Sequence, residues 1–510
     1  MEREKGNAKW NWTITIIGLL LINQGFAQLN DKTWICGGTN SGKVIFNTPI
    51  DTVRFTPEID CSYQWACISN SSGVFQFFTD GVNVYSYDGT PMVNGDSLAD
   101  NSVNATFTHG LPDWQNVIVL PKSDSQYYII YQSQSDTSFA NDPWYYTNRL
   151  YYAIVDMSLK NGKGEVTVKR QLINSSFFMD GHFTACQHAN GRDWWLVQRG
   201  YSSNRYFIYL VTPDAILYIR DQFIGADSNE PDAVGQSAFS PDGSKYASIT
   251  GKSPLILLDF DRCEGIFSNP QKVIIPMDTF MFYGNQEIQG GGGDGLCFSP
   301  NNRFVYVNSL FILRQYDLQS NPIDSSEQVI FFWTDTNEAH GQFNQMHLGP
   351  DGKIYVAPFQ GFTYALNVIN HPDSAGLSCG FVKWGLPLPT NDASVIPNMV
   401  HFRMGALVGS GCDTLHTELR EVHAEKEKLL KIYPNPATNL VTIDYGYTDW
   451  NMGGVSLELS NELGQVVYTQ ALPMYSGFQT VQLSSYPAGF YTASIRRKGS
   501  VVAAAKFAKQ

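Results

Sequence analysis

Acidic side chains mark the segments of this sequence that are best suited to bind a ligand. Six segments between strand-like hairpins contain thirteen carboxylates and no Lys or Arg in 91 residues. They are residues 91–115, 174–182, 222–236, 276–294, 334–342 and 385–398. Hard cations such as Ca²⁺ prefer several carboxylate and carbonyl oxygens. We therefore predict a ligand surface, with Ca²⁺ as its candidate metal, around Asp232, Asp294 and Glu338 in three successive segments.

Two other interpretations of these carboxylates stay open. Acidic loops can serve solubility alone. Carboxylate pairs or His–carboxylate pairs can also catalyse hydrolysis or elimination, and the candidates are His182, Asp232, Asp294 and His340. The sequence contains no Gly-x-Ser-x-Gly elbow and no His-Glu-x-x-His zinc motif. The main hypothesis is a non-catalytic binding protein, and a secreted hydrolase or lyase is the alternative.

A second group of candidate binding residues combines a carboxylate with aromatic rings. Asp142, Trp144 and Tyr145 lie in a long segment between two strand-like runs. Exposed aromatic faces beside a carboxylate suit stacking on sugar rings or cations. The expected ligand is a glycan, a peptide or a protein, and the alternative is that these rings only cover the domain.

These candidates depend on a repeated hairpin to position them. Each copy has an apolar strand, a turn rich in Pro, Asp, Asn and Gly, and a second apolar strand. Six copies occupy residues 65–78, 117–131, 183–197, 238–249, 297–307 and 346–357. A period of about fifty residues with four strands per copy is typical of β-propeller blades. We predict seven blades, with six as the alternative, and expect Lys43–Asn47 and Pro397–Phe402 to combine in a closing blade.

The blade topology sorts the connecting segments onto two faces. In an antiparallel four-stranded blade, the connections between blades share one face with the loops between the second and third strands. We call this the inter-blade face, and it carries the acidic segments. The opposite face, called the turn face, collects cations: Lys122, Lys160, Lys163, Arg192, Lys245, Arg262, Arg303 and Lys353. The barrel is therefore predicted to be electrically polarised, which would concentrate oppositely charged ligands at each face.

Composition and the N-terminal residues restrict the cellular role. The chain has 34 Lys+Arg against 47 Asp+Glu, a formal charge of −13, which argues against binding nucleic acid. Residues 1–27 have cations, then the apolar run 13–22, then Gly25-Phe26-Ala27, as a cleaved secretory signal does. No segment approaches the ~20 apolar residues of a membrane-spanning helix. We predict an exported protein without a transmembrane span.

Eight cysteines are compatible with disulfides in an exported protein. No closely spaced pair such as Cys-x-x-Cys occurs, so a structural zinc site is not predicted. Cys379 and Cys412 bracket the end of the large domain and are the predicted disulfide.

The C-terminal part of the chain forms a separate unit. Residues 409–430 are charged and are predicted to be a linker, after a propeller at 28–408. Residues 431–510 contain alternating short strands, which predicts a small Ig-like β-sandwich. The overall fold class is therefore all-β.

Three separated motifs in this unit carry a family resemblance. They are Tyr433-Pro434-Asn435-Pro436-Ala437, Glu462-Leu463-Gly464-Gln465-Val466-Val467, and the run from Leu483 to Tyr491 that contains Gly489. In this order they resemble the type A sorting domain of the Bacteroidetes type IX secretion system. The resemblance implies that the secretion machinery recognises the domain and exports the chain through the periplasm to the cell surface or the medium. It also implies that the domain is removed at the outer membrane, with the cargo released or attached to surface lipopolysaccharide.

The large domain resembles another group of exported proteins. The turns Ser240-Pro241-Asp242-Gly243 and Gly349-Pro350-Asp351-Gly352 look like those of bacterial propeller repeats. With Phe78–Gly81, Met92–Gly95 and Tyr152–Met157, they resemble the propeller of surface proteins from gliding Bacteroidetes.

Overall fold

The computed structural model shows an all-β protein. It describes residues 28–55, 58–61, 63–112, 114–136, 147–225, 235–250, 254–276, 278–282, 286–290, 295–333, 342–359, 363–390, 392–412, 430–445, 455–472, 477–497 and 500–510. Within these ranges the α-helix is α1 (Asn101–Thr106), and short 3₁₀ turns occur at Lys160–Gly162, Ile323–Ser326 and Gly376–Cys379. No helix of the described part is long and apolar enough to span a bilayer.

Up to residue 387, the described residues form eight successive antiparallel sheets, of which seven are blades and one is a separate hairpin. Blade one contains β1 (Thr33–Cys36), β2 (Gly42–Ile45) and β3 (Asp51–Arg54). Blade two contains β4 (Ala66–Ser69), β5 (Phe75–Thr79) and β6 (Val84–Ser86). Blade three contains β7 (Val117–Pro121), β8 (Gln126–Ser133), β9 (Arg149–Asp156) and β10 (Glu165–Asn174). Blade four contains β11 (Phe178–Gln187), β12 (Trp194–Gly200), β13 (Arg205–Val211) and β14 (Ile216–Phe223).

The remaining three blades each have four strands. Blade five contains β15 (Gly235–Phe239), β16 (Lys245–Thr250), β17 (Leu255–Asp261) and β18 (Ile266–Val273). A separate hairpin of β19 (Asp278–Phe282) and β20 (Gln286–Gly290) follows it. Blade six contains β21 (Gly295–Phe298), β22 (Phe304–Asn308), β23 (Ile312–Asp317) and β24 (Gln328–Phe332). Blade seven contains β25 (Phe343–Leu348), β26 (Ile354–Pro358), β27 (Ala365–Ile369) and β28 (Phe381–Pro387).

The first strand of each blade faces the centre of a ring. Neighbouring first strands contact one another from β1 through β4, β7, β11, β15 and β21 to β25. Trp34 of β1 closes the ring by packing edge-on against His347 and Tyr355 of blade seven. The prediction of a seven-bladed propeller is therefore confirmed.

Packing between blades buries whole strands on both of their faces. A strand covered on both faces needs no polar alternation. All seven residues of β12 are buried, whereas the outer strand β14 is mostly half-buried. Separate apolar clusters fill the spaces between blades, including one that joins blade one to blade seven through Trp34, Val44 and Leu366.

The turn motifs have the local geometry that their sequence predicts. In Ser240-Pro241-Asp242-Gly243 the Ser240 hydroxyl donates to Asp242 Oδ1 at 2.7 Å, and the Ser244 amide donates to the same atom at 2.9 Å. In blade six, the Ser299 hydroxyl donates to Asn301 Oδ1 at 2.7 Å. The bond from the Ser244 amide, and the matching bond from the Arg303 amide to Asn301 Oδ1 at 3.0 Å, join a side chain to nearby backbone, as in Asx-type turns.

At the end of the propeller, one sequence prediction is supported in part and one is wrong. Residues 397–402 form no regular strand, but the chain there lies antiparallel beside β1: the Gly37 amide donates to the Val395 carbonyl at 2.8 Å and Arg403 pairs with Asp31 at 2.9 Å, so the two ends of the propeller meet in blade one. The predicted Cys379–Cys412 disulfide is not formed. Cys379 is buried between blades six and seven and its thiol bonds with Tyr306, while the Cys412 thiol lies beside Cys263 of blade five.

The C-terminal unit is a two-sheet sandwich, as predicted. One sheet has the order β29 (Leu430–Tyr433), β30 (Leu440–Tyr445) and β33 (Gly477–Gln482). The other has the order β32 (Val466–Ala471), β31 (Val455–Ser460), β34 (Gly489–Arg497) and β35 (Ser500–Lys509). Its core includes Val441, Ile443, Leu457, Leu459 and Ile495.

Candidate functional site

The central channel of the propeller is occupied by its own chain. We call residues 392–407 the plug. At the inter-blade face, the amides of Gly37 and Gly38 donate to the carbonyls of Val395 and Asp392, each at 2.8 Å. At the turn face, the Leu407 amide donates to the Ala189 carbonyl at 2.8 Å. The inner strands of blades two to seven run from the first face to the second, whereas β1 runs the other way: Ser69 at the end of β4 bonds with Asn30 before β1, and Cys61 before β4 bonds with Gly38 after β1. The plug therefore runs antiparallel to β1 and passes through the whole channel.

The plug contacts blades two, three and four. The Asn398 amide donates to the Trp65 carbonyl of blade two at 2.8 Å. Its side-chain Nδ2 donates to the carbonyls of Val117 and Phe183, both at 3.1 Å, in blades three and four. Further along, Phe402 is buried against Trp194, with ring centroids 5.4 Å apart. The plug, which lies beside β1, is thus the element that joins the two ends of the ring.

An ion pair and a glycine fit the plug to the turn face. Arg403 pairs with Asp31 at 2.9 Å, which ties the plug to the residues just before blade one. Gly191 has φ +72°, and a Cβ at this position would lie 2.7 Å from the backbone nitrogen of Ala406. The turn of blade four therefore needs glycine both for its conformation and for the approach of the plug.

Buried glutamine side chains connect blades across the same channel. Gln115 Nε2 donates to the Ser237 carbonyl at 3.0 Å, and its Oε1 accepts from the Ser237 amide at 2.8 Å. Gln236 bonds in the same two-sided manner with the backbone of Met346. Gln64 donates to the Ile396 carbonyl of the plug at 2.9 Å. A primary amide carries both donors and acceptors, so it can satisfy two backbone groups that strand pairing leaves free.

His182 is the one catalytic candidate that lies within the described residues. It is fully buried, and neither ring nitrogen has a hydrogen-bond partner there. Its ring packs toward Gly235, where an added Cβ would be 2.8 Å from His182 Cε1. Burial, with a further contribution from Arg199, lowers the pKa of His182 to about 3. The imidazole is therefore neutral and shielded from solvent at the entrance of the plugged channel.

The other predicted site residues lie outside the described residues. They are Asp142, Trp144, Tyr145, Asp232, Asp294, Glu338 and His340. Within the described part of the chain, no three His, Cys, Asp or Glu side chains come together as a metal site.

Residues 91–115, the longest acidic segment, contain defined secondary structure, and one of their carboxylates is paired with a cation. Residues 91–95 lie along β6, with Met92 and Gly95 bonded to the backbone of Val84, and α1 follows. Asp96 pairs with Lys169 of β10 at 3.5 Å. Burial raises the pKa of Asp100, and the nearby Asp136 adds to this effect. Strand cations, which a count over connecting segments misses, therefore reach this edge of the inter-blade face.

Cations of the turn face are mostly paired within their own blades. Lys245 binds Asp259 and Arg303 binds Asp317, each at 2.7 Å. Both carboxylates belong to the Asp that ends the third strand, so the pair joins the start of the second strand to the end of the third. Three more pairs are Lys160–Glu165, Lys163–Asp88 and Arg192–Asp193. The turn face is thus a set of neutralised local pairs.

Residues 37–43 contain a phosphate-loop spacing, Gly-x-x-x-x-Gly-Lys, followed by Val44 where such loops have Ser or Thr. In the fold this stretch is the hairpin between β1 and β2, with no helix after it. Besides Gly37 and Gly38, the Asn40 amide donates to Asp60 Oδ1 at 2.8 Å and the Ser41 amide to the Ile59 carbonyl at 2.9 Å. Because these amides already bond within the protein, the hairpin is not a phosphate cradle.

The three C-terminal motifs meet in two junctions of the sandwich. In the first junction, Asn435 Oδ1 accepts from the Ala508 amide at 3.0 Å, which ties the first motif to the last strand. In the second, Glu462 Oε1 accepts from the Phe490 amide at 3.0 Å, which ties the second motif to the third. Gly464, at φ +76°, permits the tight turn of the second motif. Tyr491 donates to the Pro487 carbonyl at 2.8 Å.

A small pocket lies at the second junction. Its volume is about 220 Å³, and it is lined by Glu462, Leu463, Val467, Tyr486 and Phe490 among others. Leu463 is 82% exposed and Phe490 is 62% exposed, so the rim is apolar and open to solvent. Tyr433 and Pro434 lie at the other junction and are also accessible.

Comparison with known protein structures yields distant likenesses. PorZ, a surface component of the type IX secretion system of Porphyromonas gingivalis, has 11% identity and a TM-score of 0.35, covering 92% of this chain. The chain spans 63% of the length of PorZ. A putative 6-phosphogluconolactonase from Bacteroides fragilis has 10% identity and a TM-score of 0.41, with 72% of this chain and 97% of that one covered. A β-propeller domain from Myceliophteria thermophila has 8% identity and a TM-score of 0.36, with coverages of 64% and 90%.

Comparison with curated protein sequences finds no match. The model of a protein family does match the chain, and it covers residues 431–510 under the description "Secretion system C-terminal sorting domain". This is the unit in which the three motifs meet at the junctions of the sandwich. Residues 431–510 therefore belong to the secretion-system C-terminal sorting domain family, and the chain is a type IX secretion cargo exported to the cell surface or the extracellular space.

Proposed function

We propose that the chain is an exported binding protein whose propeller holds a glycan, peptide or protein ligand on the inter-blade face. The observation that carries the proposal is the difference between its two faces. Turn-face cations form local ion pairs, as Lys245 does with Asp259. The acidic connections and the candidate binding residues Asp142, Trp144, Tyr145, Asp232, Asp294 and Glu338 are predicted from the sequence to lie on the other face. Long loops on a rigid scaffold are the usual place for binding residues.

Because the plug fills the channel, we place the proposed ligand site on the loops of the inter-blade face and not inside the channel. The plug and the glutamine side chains occupy the middle of the ring, and His182 is buried beneath them. A ligand that approaches the described part of the inter-blade face therefore meets connections and not an open channel. This arrangement favours binding over the hydrolase alternative, which needs a reactive group that substrate can reach.

Ligand arrays with the full chain test the proposal. We expect binding to a defined glycan or peptide class, and at least a tenfold loss on changing Asp232→Asn, Asp294→Asn and Glu338→Gln together. Asp124→Asn with Asp214→Asn, two exposed carboxylates of the turn face, is the matched control and should bind as wild type. Equal binding by the triple variant would refute the inter-blade site.

Calcium is the proposed ion of this face, because converging carboxylates repel one another until a cation binds. Binding to the native state alone adds about 2.7 kcal/mol at a hundredfold excess over Kd. The melting temperature of the full chain should therefore rise in millimolar Ca²⁺ relative to chelator, and less so in Mg²⁺. An unchanged melting temperature, or an equal shift in the Asp232→Asn, Asp294→Asn variant, would leave solubility as the role of these carboxylates.

We also propose that the secretion machinery reads the second junction of the sorting domain, and that the domain is then removed. The support is the open apolar rim formed by Leu463 and Phe490 beside Glu462. Changing both to Ala should reduce export without unfolding the domain, whereas Leu440→Ala, at a 48% exposed position in the other sheet, should not. Peptide mapping of exported protein should lack residues 440–506. Recovery of those peptides at full stoichiometry would contradict removal.

A further inference from the structure

Two of the eight cysteines differ from the rest in their access to solvent. All eight lie within the described residues as free thiols, and six of them are buried. Cys67, for example, is enclosed in the core between blades one and two, where its thiol donates to the Thr33 carbonyl. Cys263 and Cys412 are partly exposed. In the folded protein an external oxidant can therefore reach these two thiols and not the other six.

The fold brings these two accessible cysteines together from distant parts of the sequence. Cys263 lies in the turn between β17 and β18, and Asp261 Oδ1 fixes this turn by accepting from the amides of Cys263 and Glu264 at 2.7 and 3.1 Å. Cys412 follows the end of the plug. The Cys412 thiol forms a side-chain hydrogen bond with the Cys263 thiol.

Hydrogen bonds that do not involve the thiols hold the turn of Cys263 next to the end of the plug. Arg262, the neighbour of Cys263, donates through Nη2 to the Gly405 carbonyl of the plug at 2.5 Å. The Ala189 amide donates to the Arg262 carbonyl at 3.0 Å, and the Ala189 carbonyl accepts from Leu407. A turn then returns the chain toward blade five, with the Ser410 amide bonded to the Leu407 carbonyl at 3.0 Å. The surrounding fold therefore holds the two cysteines close together without a covalent bond between them.

We propose that Cys263 and Cys412 form a disulfide in the exported protein, which fastens the end of the plug to blade five. This bond closes a loop of well over a hundred residues that includes blades six and seven. Cross-links across long loops restrict the unfolded chain most. Because Cys412 lies near the start of the predicted linker, far from the sorting domain at 431–510, the bond holds the plug whether or not that domain is still attached.

The oxidation needs an electron acceptor of defined class. Each thiol loses its S–H bond, and one S–S bond forms between Cys263 and Cys412. The two electrons and the two protons that are released convert the disulfide of a cell-envelope thiol–disulfide oxidoreductase, or of oxidised glutathione in vitro, to two thiols. Burial first, then Cys263 and the carboxylates of Glu264 and Asp261, raise the pKa of Cys412 to about 12. The Cys412 thiol is therefore protonated at neutral pH, so we expect oxidation to be slow without a catalyst.

Peptide mapping without reduction tests the proposal directly. Full chain from the cell envelope is alkylated under denaturing conditions and digested with trypsin. We expect peptide 263–272 linked to peptide 404–420, and loss of this species after reduction. Recovery of both peptides as alkylated thiols would overturn the proposal. A link from 404–420 to 354–383, which contains Cys379, would overturn it in favour of the pairing that sequence suggests.

Melting curves give a second, independent readout. Reduction of wild type should lower the propeller melting temperature by about 2–5 °C, given the usual effect of a disulfide on a domain of this size. Cys263→Ser, Cys412→Ser and the double variant should each match reduced wild type and show no further response to reductant. Cys379→Ser is the control, and it should keep the response to reductant whatever its own melting temperature. A response to reductant that persists in Cys412→Ser would also overturn the proposal.

Discussion

The plugged channel and the turn face of the propeller hold their polar groups in opposite ways. In the channel, buried amides such as those of Asn398 and Gln115 bond to backbone atoms of blades far apart in sequence. On the turn face, ion pairs such as Lys245–Asp259 and Arg303–Asp317 join neighbouring strands of one blade, in side chains that are partly exposed. The hydrogen bonds in the channel hold the ring closed, whereas the ion pairs lie on the surface of blades that apolar packing already stabilises.

This difference predicts where substitutions are costly. A buried group left without its partner loses its full desolvation free energy, while an exposed ion pair contributes about 0–1 kcal/mol. We expect the loss of stability to decrease from the buried groups of the plug to the exposed ion pairs of the turn face. The failure of any one of these predictions would weaken the contrast between the two regions.

Removing the aromatic side chain of the plug should have the largest effect. Phe402→Ala leaves a cavity beside Trp194 and should lower the free energy of unfolding of the propeller by about 3–5 kcal/mol. Urea unfolding of the full chain, followed by tryptophan fluorescence, measures it. Val408→Ala, at the 87% exposed end of the same segment, is the control and should change stability by less than about 0.5 kcal/mol. Equal effects would show that the plug does not stabilise the ring.

Removing the amide of the plug should have the next largest effect. Asn398→Ala leaves the carbonyls of Val117 and Phe183 without their shared donor, at a cost of about 2–3 kcal/mol. Asn269→Ala removes an exposed amide that bonds Asp259 and should cost less than 1 kcal/mol by the same reasoning. Urea unfolding of both variants under identical conditions makes the comparison, and a loss for Asn398→Ala no larger than the control would contradict it.

Acid should weaken the channel before it weakens the turn face. Burial lowers the pKa of His347 to about 3 and that of His401 to about 4, below the unfolded value of about 6.5. Between about pH 6.5 and 4 the unfolded chain binds more protons, so stability falls with falling pH by up to about 1.4 kcal/mol per unit for each imidazole. His401→Gln should reduce this slope, and His371→Gln, at an exposed position, should not. A flat profile in this range would contradict the prediction.

Ion pairs of the turn face should give the smallest effect and a different pH window. Arg303 lowers the pKa of Asp317, so the stabilisation is present above the unfolded value of about 3.9 and is lost as pH falls below it. Asp317→Asn should cost less than about 1 kcal/mol at neutral pH, and less in high salt. Thermal melting of the variant at two salt concentrations tests this. A cost as large as that of Asn398→Ala would remove the contrast between the two regions.

Much of the architecture followed from local sequence. Strand pairs such as β15 and β16 were predictable because apolar runs flank a Ser-Pro-Asp-Gly turn, and their repetition implied blades. Asp259 and Asp317 each stand between two apolar residues at matching positions of their repeats, which is visible in the sequence. The reason, an ion pair with the second strand, appears only from the register of the strands. The sorting motifs were recognisable because they are short and contiguous.

Tertiary structure alone decided how the ring closes. Pro397–Phe402 is largely apolar, and sequence cannot show that this segment contacts blades two, three and four as well as lying beside β1. The same limit applies to cysteine pairing, because thiol contact depends on the path of the plug and not on spacing along the chain. Sequence by itself determined the hairpins, the repeat and the export domain, since these depend on residues close in the chain. The plug, the buried amides that span blades and the approach of Cys412 to Cys263 depend on distant residues meeting, which only the folded ring defines.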